Sequence, residues 1–256
     1  MNEHIDMKIS GASTMPGGEY GRVSISGAGK VQGSLKCEEL HCSGAAKVHG
    51  DVDCAGELRT SGAAKVAGSV RCGTLTASGT FSAQTVQVEG LASVSGSLRT
   101  EQALTADELR ASGSLEAGSV HCRALRSSGS CRVNGDVEAE TAVLSGAVQI
   151  GGLLNAETVE ISVNPAVHIS AIGGGTIRVL QKDTTTFLGI FRTSPGCARI
   201  GSIEGDNIEL ENVEAEIVRG KYVRIGHGCR IGTVEYGENL EAEHGTVRQS
   251  TQTGTK

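Results

Sequence analysis

Apolar side chains recur at every second position in short runs along this chain, as in Val48, Val52 and Cys54. Period two is the mark of a strand with one buried face, because successive side chains of a strand point to opposite sides. The runs themselves recur. An apolar-x-Gly-x-apolar motif reads Val31-Gln-Gly33-Ser-Leu35, then Val48-His-Gly50-Asp-Val52, then Val66-Ala-Gly68-Ser-Val70, and it returns at 94–98, 133–137 and 150–154. A second motif, Leu-x-x-Ser-Gly, closes at Gly44, Gly62, Gly79, Gly113 and Gly129.

Glycines at 27, 44, 62, 79, 113, 129 and 146 are separated by 17, 18, 17, 34, 16 and 17 residues. A fixed period of this size indicates a repeat architecture. Strands this short cannot form a stable sheet alone. Stacked coils solve the problem, since each strand pairs in parallel with its counterpart about 4.8 Å away. The expectation is an all-β parallel β-helix (β-solenoid) of roughly ten or more coils, at about 17 residues per coil. The glycines are expected at corners that need unusual backbone dihedrals. Gly79 to Gly90 is 11 residues and Gly90 to Gly113 is 23, a phase break that reads as one face moved between coils.

The boundaries follow from where the ruler holds. Residues 1–19 form an N-terminal segment expected to be partly disordered, and 20–161 the main solenoid. Pro165 and the run Gly173-Gly174-Gly175 mark an irregular connection over 162–198. A second repeat, Gly196-Cys197-Ala-Arg199-Ile200-Gly201 echoed by Gly228-Cys229-Arg230-Ile231-Gly232, spans 199–247 as new coils or a continuation. Residues 248–256 are polar and expected to be disordered.

Composition narrows the picture. There are six aromatic residues and no tryptophan, so the interior must be narrow and filled by Val, Ile, Leu, Ala and Cys. Net charge is −6 with no basic cluster, which argues against nucleic acid as a partner. No apolar run approaches the ~20 residues that span a bilayer, and residues 1–10 lack a signal-peptide core. A cytoplasmic location is expected, with the eight cysteines as thiols rather than bridges.

The chemistry-bearing residues fit a structural role better than a catalytic one. Cys37, Cys54, Cys72 and Cys122 each lie four residues after a repeat glycine, and Thr100, Ala139 and Ala156 are read into the same slot. A slot shared by Cys, Thr and Ala is small and inward-facing. Zinc would call for close ligand pairs, and no metal site or cofactor is expected. Gly27-Ala-Gly29-Lys30 resembles the end of a phosphate-binding loop, but the motif needs glycine at 24 and Ser or Thr at 31, where Ser24 and Val31 stand. Lys30 recurs as Lys47 and Lys65, one per coil, which marks a solvated face. The competing enzymatic reading rests on His227. It lies in Ile225-Gly-His-Gly-Cys-Arg, followed by Ile231-Gly-Thr-Val-Glu-Tyr, and these hexads resemble left-handed β-helix acyltransferases, where a histidine is general base. Only two hexads are in register, so a non-enzyme is the preferred expectation.

The Val-His-Gly-Asp-Val and Val-Asn-Gly-Asp-Val repeats at 48–52 and 133–137 resemble the bactofilins, bacterial polymer-forming cytoskeletal proteins. The run from Val218 through Arg219-Gly220-Lys221-Tyr222-Val223 to Tyr236 is similar to the longer Gram-positive members. The resemblance covers about residues 20–240. It implies a right-handed solenoid that polymerises end to end without nucleotide, in cell shape, motility or the positioning of other proteins. The partners it implies are further copies of the chain, other bactofilins, and cell-envelope or motility proteins, reached at the inner face of the membrane through those partners. The proline-rich tails of many members are absent, and residues 1–10 make a poor version of their apolar N-terminal anchor. A solenoid exposes its end coils. The self-assembly candidates are therefore Val23 and Ile25 at one end and Val223, Ile225, Ile231 and Val234 at the other. Phe187 and Phe191 are candidates for lateral contact.

Overall fold

The computed structural model describes residues 5–181, 196–243 and 246–253. Every regular element among them is a β-strand, and every strand pairing with a defined register is parallel. The chain divides into two compact units, Met1–Leu125 and Arg126–Lys256, and each is a parallel β-solenoid.

In the first unit the inward positions stack into one-residue-wide columns. Leu35, Val52, Val70, Val86 and Leu104 form one. Leu40, Leu58, Leu75, Ala92 and Leu109 form another. All ten are buried. A third column runs Ala46, Ala64, Phe81, Leu98, Leu115. Phe81, 1% exposed, supplies the one large ring, next to two alanines that leave it room. The near absence of aromatics is thus a packing requirement, because a coil of three short faces encloses little cross-section.

The corner glycines act by closeness rather than by dihedral. A Cβ on Gly44, Gly62, Gly79, Gly96 or Gly113 would run into the carbonyl oxygen of the glycine one coil back, respectively Gly27, Gly44, Gly62, Gly79 and Gly96. Left-handed φ occurs only at Gly33 (107°), Gly146 (82°), Gly228 (71°) and Asn212 (50°) among the described residues. The expectation of unusual dihedrals at the ruler glycines holds at Gly146 and is corrected at the others. Corner backbones lie in direct contact: the Ala63 amide donates to the Gly44 carbonyl (2.9 Å) and the Thr80 amide to the Gly62 carbonyl (2.9 Å).

The expected phase break is also corrected. Leu98 pairs with Phe81 and Leu115 with Leu98, a steady spacing of one coil, and Gly96 sits on the ruler between Gly79 and Gly113. Gly96 escaped the motif search because Ala92, not leucine, stands four residues before it. The same slip misplaced Thr100, which pairs with Ala83, whereas the cysteine column continues from Cys72 to Val88.

Past the short strands Ser130–Val133 and Val137–Leu144, the second unit is built from long strands, Ala147–Ser162, Val167–Leu180, Ala198–Leu210, Val213–Ile225 and Arg230–Ala242, and ends in the six-residue Val247–Gln252. Isoleucine and valine fill its columns, as in Ile150, Ile169, Ile200, Ala215 and Ile231, and in Leu154, Ile172, Ile203, Val218 and Val234. Strand Val167–Leu180 runs through the stretch expected to be irregular and includes all three glycines of 173–175. The run stays in the ladder because small residues are needed there: a Cβ on Gly174 would meet the Ala156 carbonyl oxygen. Strands Met7–Ile9, Ala12–Ile25 and Val247–Gln252 likewise lie partly in segments expected to be disordered.

Candidate functional site

The features that could carry function are the exposed sheet edges, the buried thiols, the histidine corner and the surface charge columns. At the N-terminal edge of the first unit, strand Met7–Ile9 pairs on one side with 23–25, in the register Met7 with Val23 and Ile9 with Ile25. Its other side meets no strand among the described residues. Residues 12–16 present the same open side while pairing inward with 28–32. The edge is apolar. Ile9 and Met15 are each 6% exposed, whereas Ile5 is 78% exposed. The Gly21 amide donates to the Ile5 carbonyl (3.1 Å) and the Arg22 amide to Asp6 Oδ1 (2.7 Å), which hold this first stretch on the coil.

Val23 and Ile25, expected to line the end coil, are therefore one layer in and fully buried. The same holds in the second unit. Val223 and Ile225 lie against Leu240 and Ala242, and Ile231 and Val234 against Val247 and Ser250. Each unit carries one more strand than the motifs revealed. Phe187 and Phe191 fall outside the described residues. The residues that sequence reasoning missed are Ile5, Met7 and Ile9. Their signal was the spacing of Met7 and Ile9, one coil length before Val23 and Ile25.

The outermost strand of the second unit, Val247–Gln252, differs in kind. Its side chains after Val247 are Arg248, Gln249, Ser250, Thr251 and Gln252, all exposed. The apolar edge of one unit and the polar edge of the other are the main contrast between the two outermost strands.

Cys37, Cys54 and Cys72 stack in register, as the shared small slot predicts. The Cys54 thiol donates to the Glu57 carbonyl (3.4 Å) and lies 3.6 Å from that of Glu38. Hydrogen bonding to Cys54, then burial, pushes the Cys37 thiol far above its ordinary range. Burial raises Cys72 to about 12 and Cys131 and Cys229 to about 11. A protonated, enclosed thiol is a poor nucleophile and behaves as a small apolar filler.

His227 is exposed on the turn between strands Val213–Ile225 and Arg230–Ala242. Its Nε2 lies 3.4 Å from Nδ2 of Asn212, which donates to Gln181 Oε1 at 2.8 Å. A shallow depression beside it is bordered by Glu211, Arg224 and Glu243. Among the described residues no cluster of three or more His, Cys, Asp or Glu side chains is arranged to hold a metal ion. No helix among them is long and apolar enough to cross a membrane.

The surface charges form columns because the strands are in register. In the second unit the signs alternate down one face: Glu160, Arg178, Glu209, Arg224, Glu241. Arg224 reaches Glu209 at 3.0 Å, and Arg219 reaches Glu235 at 2.8 Å. These pairs are exposed, so each contributes little stability.

Comparison with known proteins agrees with the repeat signature. Residues 2–80 match the Bactofilin family, described as polymer-forming cytoskeletal. The chain is 37% identical over 103 residues to the uncharacterized protein YhbF of Bacillus subtilis (strain 168), covering 40% of this chain and 42% of YhbF. It is 36% identical over 110 residues to the uncharacterized protein YhbE of the same strain, covering 42% of this chain and 44% of YhbE. The matches thus span less than half the length of either relative. No solved structure matches.

Proposed function

We propose, from the Bactofilin match at residues 2–80, that this chain is a non-enzymatic building block of a cytoskeletal polymer that assembles without nucleotide. The observation that carries the reading is the open apolar edge at Met7–Ile9 and 12–16. A sheet edge with unpaired amides and carbonyls and an exposed isoleucine is a template for another chain. A second copy offers the matching strand spacing of about 4.8 Å, so the ladder can continue across the contact. The assembly is end to end, with Ile5, Met7 and Ile9 at the contact in place of Val23 and Ile25. Such a polymer would scaffold other proteins in cell shape, motility or positioning, and it would act in the cytoplasm.

Electron microscopy of the purified protein, with chelator and without nucleotide, tests the reading. Long filaments are expected. Ile9→Lys places a charge at the edge, where its head reaches water. That variant is expected to keep its β-sheet circular dichroism and lose filaments. Ile25→Lys should instead unfold its coil, because Ile25 is covered on both sides. A strict nucleotide requirement, or normal filaments from folded Ile9→Lys, would overturn the proposal.

A further inference from the structure

One face of the second unit sets an exposed ring among uncharged polar groups. Because its strands are in register, Thr158, Thr176, Asn207, Tyr222 and Asn239 form one outward column. The alternating column of Glu160, Arg178, Glu209, Arg224 and Glu241 runs beside it, two residues further along each strand. The two columns border a shallow groove. Tyr222 is 46% exposed, and among the described residues it is the only exposed aromatic side chain. Its hydroxyl donates to Glu238 Oε2, which fixes the ring over the face.

The charges at this groove cancel. Arg224 lies 3.0 Å from Glu209 and 4.0 Å from Glu241, and Arg178 lies 3.8 Å from Glu209. An ionic ligand would meet as much repulsion as attraction here. The contrast is with Lys30, Lys47 and Lys65, which stack in a column of one sign in the first unit. The neutral column, by comparison, has hydrogen-bonding capacity to spare. Among the described residues the side chains of Thr176 and Asn207 form no hydrogen bond. Asn239 Nδ2 donates to Glu241 at 3.3 Å, which leaves its side-chain oxygen open. Each asparagine amide offers two donors and an acceptor.

The geometry points to a binding site for a neutral, extended β-linked glycan. A pyranose sugar has an apolar face of C–H groups and a rim of hydroxyls. The Tyr222 ring takes the first, as an aromatic body with a polar tip does, and the amides and hydroxyls of its column take the second. The rise per sugar in an extended β-linked chain is close to the strand spacing of about 4.8 Å. One sugar on Tyr222 therefore brings its neighbours over Asn207 and Asn239. A peptide would use a free strand edge, and the strands under this face are paired on both sides. A nucleic acid would call for cations without counter-charges. The groove lies within the second unit and does not involve the open edge of the first, so the inference is independent of polymerisation.

The test is calorimetric titration of the full chain with cellohexaose and chitohexaose, with isomaltohexaose as a flexible hexasaccharide of different linkage. Saturable binding of a β-linked hexasaccharide is expected, with isomaltohexaose about tenfold weaker because more freedom is lost on binding. Tyr222→Ala should weaken the β-linked ligand about tenfold and Asn207→Ala about fivefold, with circular dichroism unchanged. Tyr222→Phe keeps the ring and should bind nearly as the native chain does. Failure of both β-linked hexasaccharides to bind would overturn the proposal. So would native affinity in folded Tyr222→Ala, equal loss in Tyr222→Phe, or isomaltohexaose binding as tightly as the β-linked ligands.

Discussion

The two units solve the same stacking problem with different materials. After two strands of 14 and 15 residues, the first continues in strands of nine residues or fewer, with an Ala- and Cys-rich interior and an unbroken run of corners, Gly27 to Gly113, in which glycine sits on glycine. The second uses strands of 13 to 16 residues in its central coils, isoleucine columns, and charges that alternate down its faces. A narrow coil has little volume to vary, so its tolerance is set at the corners, where backbones touch. A coil with longer faces draws more of its stability from side-chain burial.

The largest effect that can probe this difference is a buried charge. Val48→Lys in the first unit and Ile203→Lys in the second each place an ammonium group between two covering coils, at a cost of roughly 4–5 kcal/mol. Urea titration should show both midpoints fall. A mild Val48→Lys would mean that the narrow coil can open to water, and the comparison would fail. Corners come next. Gly79→Ala drives a methyl into the Gly62 carbonyl and should cost about 2–3 kcal/mol. Gly237→Ala in the second unit meets only Lys221 at ordinary contact distance (3.6 Å) and should be close to neutral. Similar costs at both sites would show that backbone contact one coil back is not what sets the cost of a corner glycine.

Alkaline pH probes the thiol column. Cys72, raised by burial to about 12, is neutral in the folded chain at pH values where it ionises when unfolded. Its contribution is fully present below about pH 9 and is lost as pH rises toward 12. At pH 10.5 that loss is about 1–2 kcal/mol. Cys72→Ala should flatten this part of the stability-versus-pH curve, measured by thermal melts from pH 8 to 11. The smallest effects are at the surface and should have opposite signs. Lys47→Glu breaks up a like-charge column and should raise the urea midpoint slightly, whereas Arg219→Glu sets three carboxylates in a row and should lower it slightly.

Strand alternation and the coil period were legible because burial of one face enforces both. The in-register cysteines and the exposed lysines followed directly from that ruler. What could not be read was anything governed by backbone proximity. Ruler glycines look like turn residues in a sequence, yet Gly62 is required by the Gly44 oxygen beneath it. The run 173–175 looks like a break, yet it continues a ladder for the same reason. The edge was hard to read because Met7–Ile9 is only three residues long and carries neither glycine motif, leaving its coil-length spacing from Val23 and Ile25 as the one signal. Val23 and Ile25 were consequently read as the outermost layer, which Met7–Ile9 occupies instead.

The seating of each corner glycine on the one before it makes the first unit a staircase whose steps can be counted but not slid. Inserting a whole coil adds one tread and leaves every other step as it was. Inserting a single residue within a strand turns its inward side chains to solvent and its charges to the core. Variation in such a chain is therefore quantised. Lengthening or shortening by complete repeats is nearly silent in the rest of the stack, and the number of coils can drift in a lineage while the cross-section stays fixed.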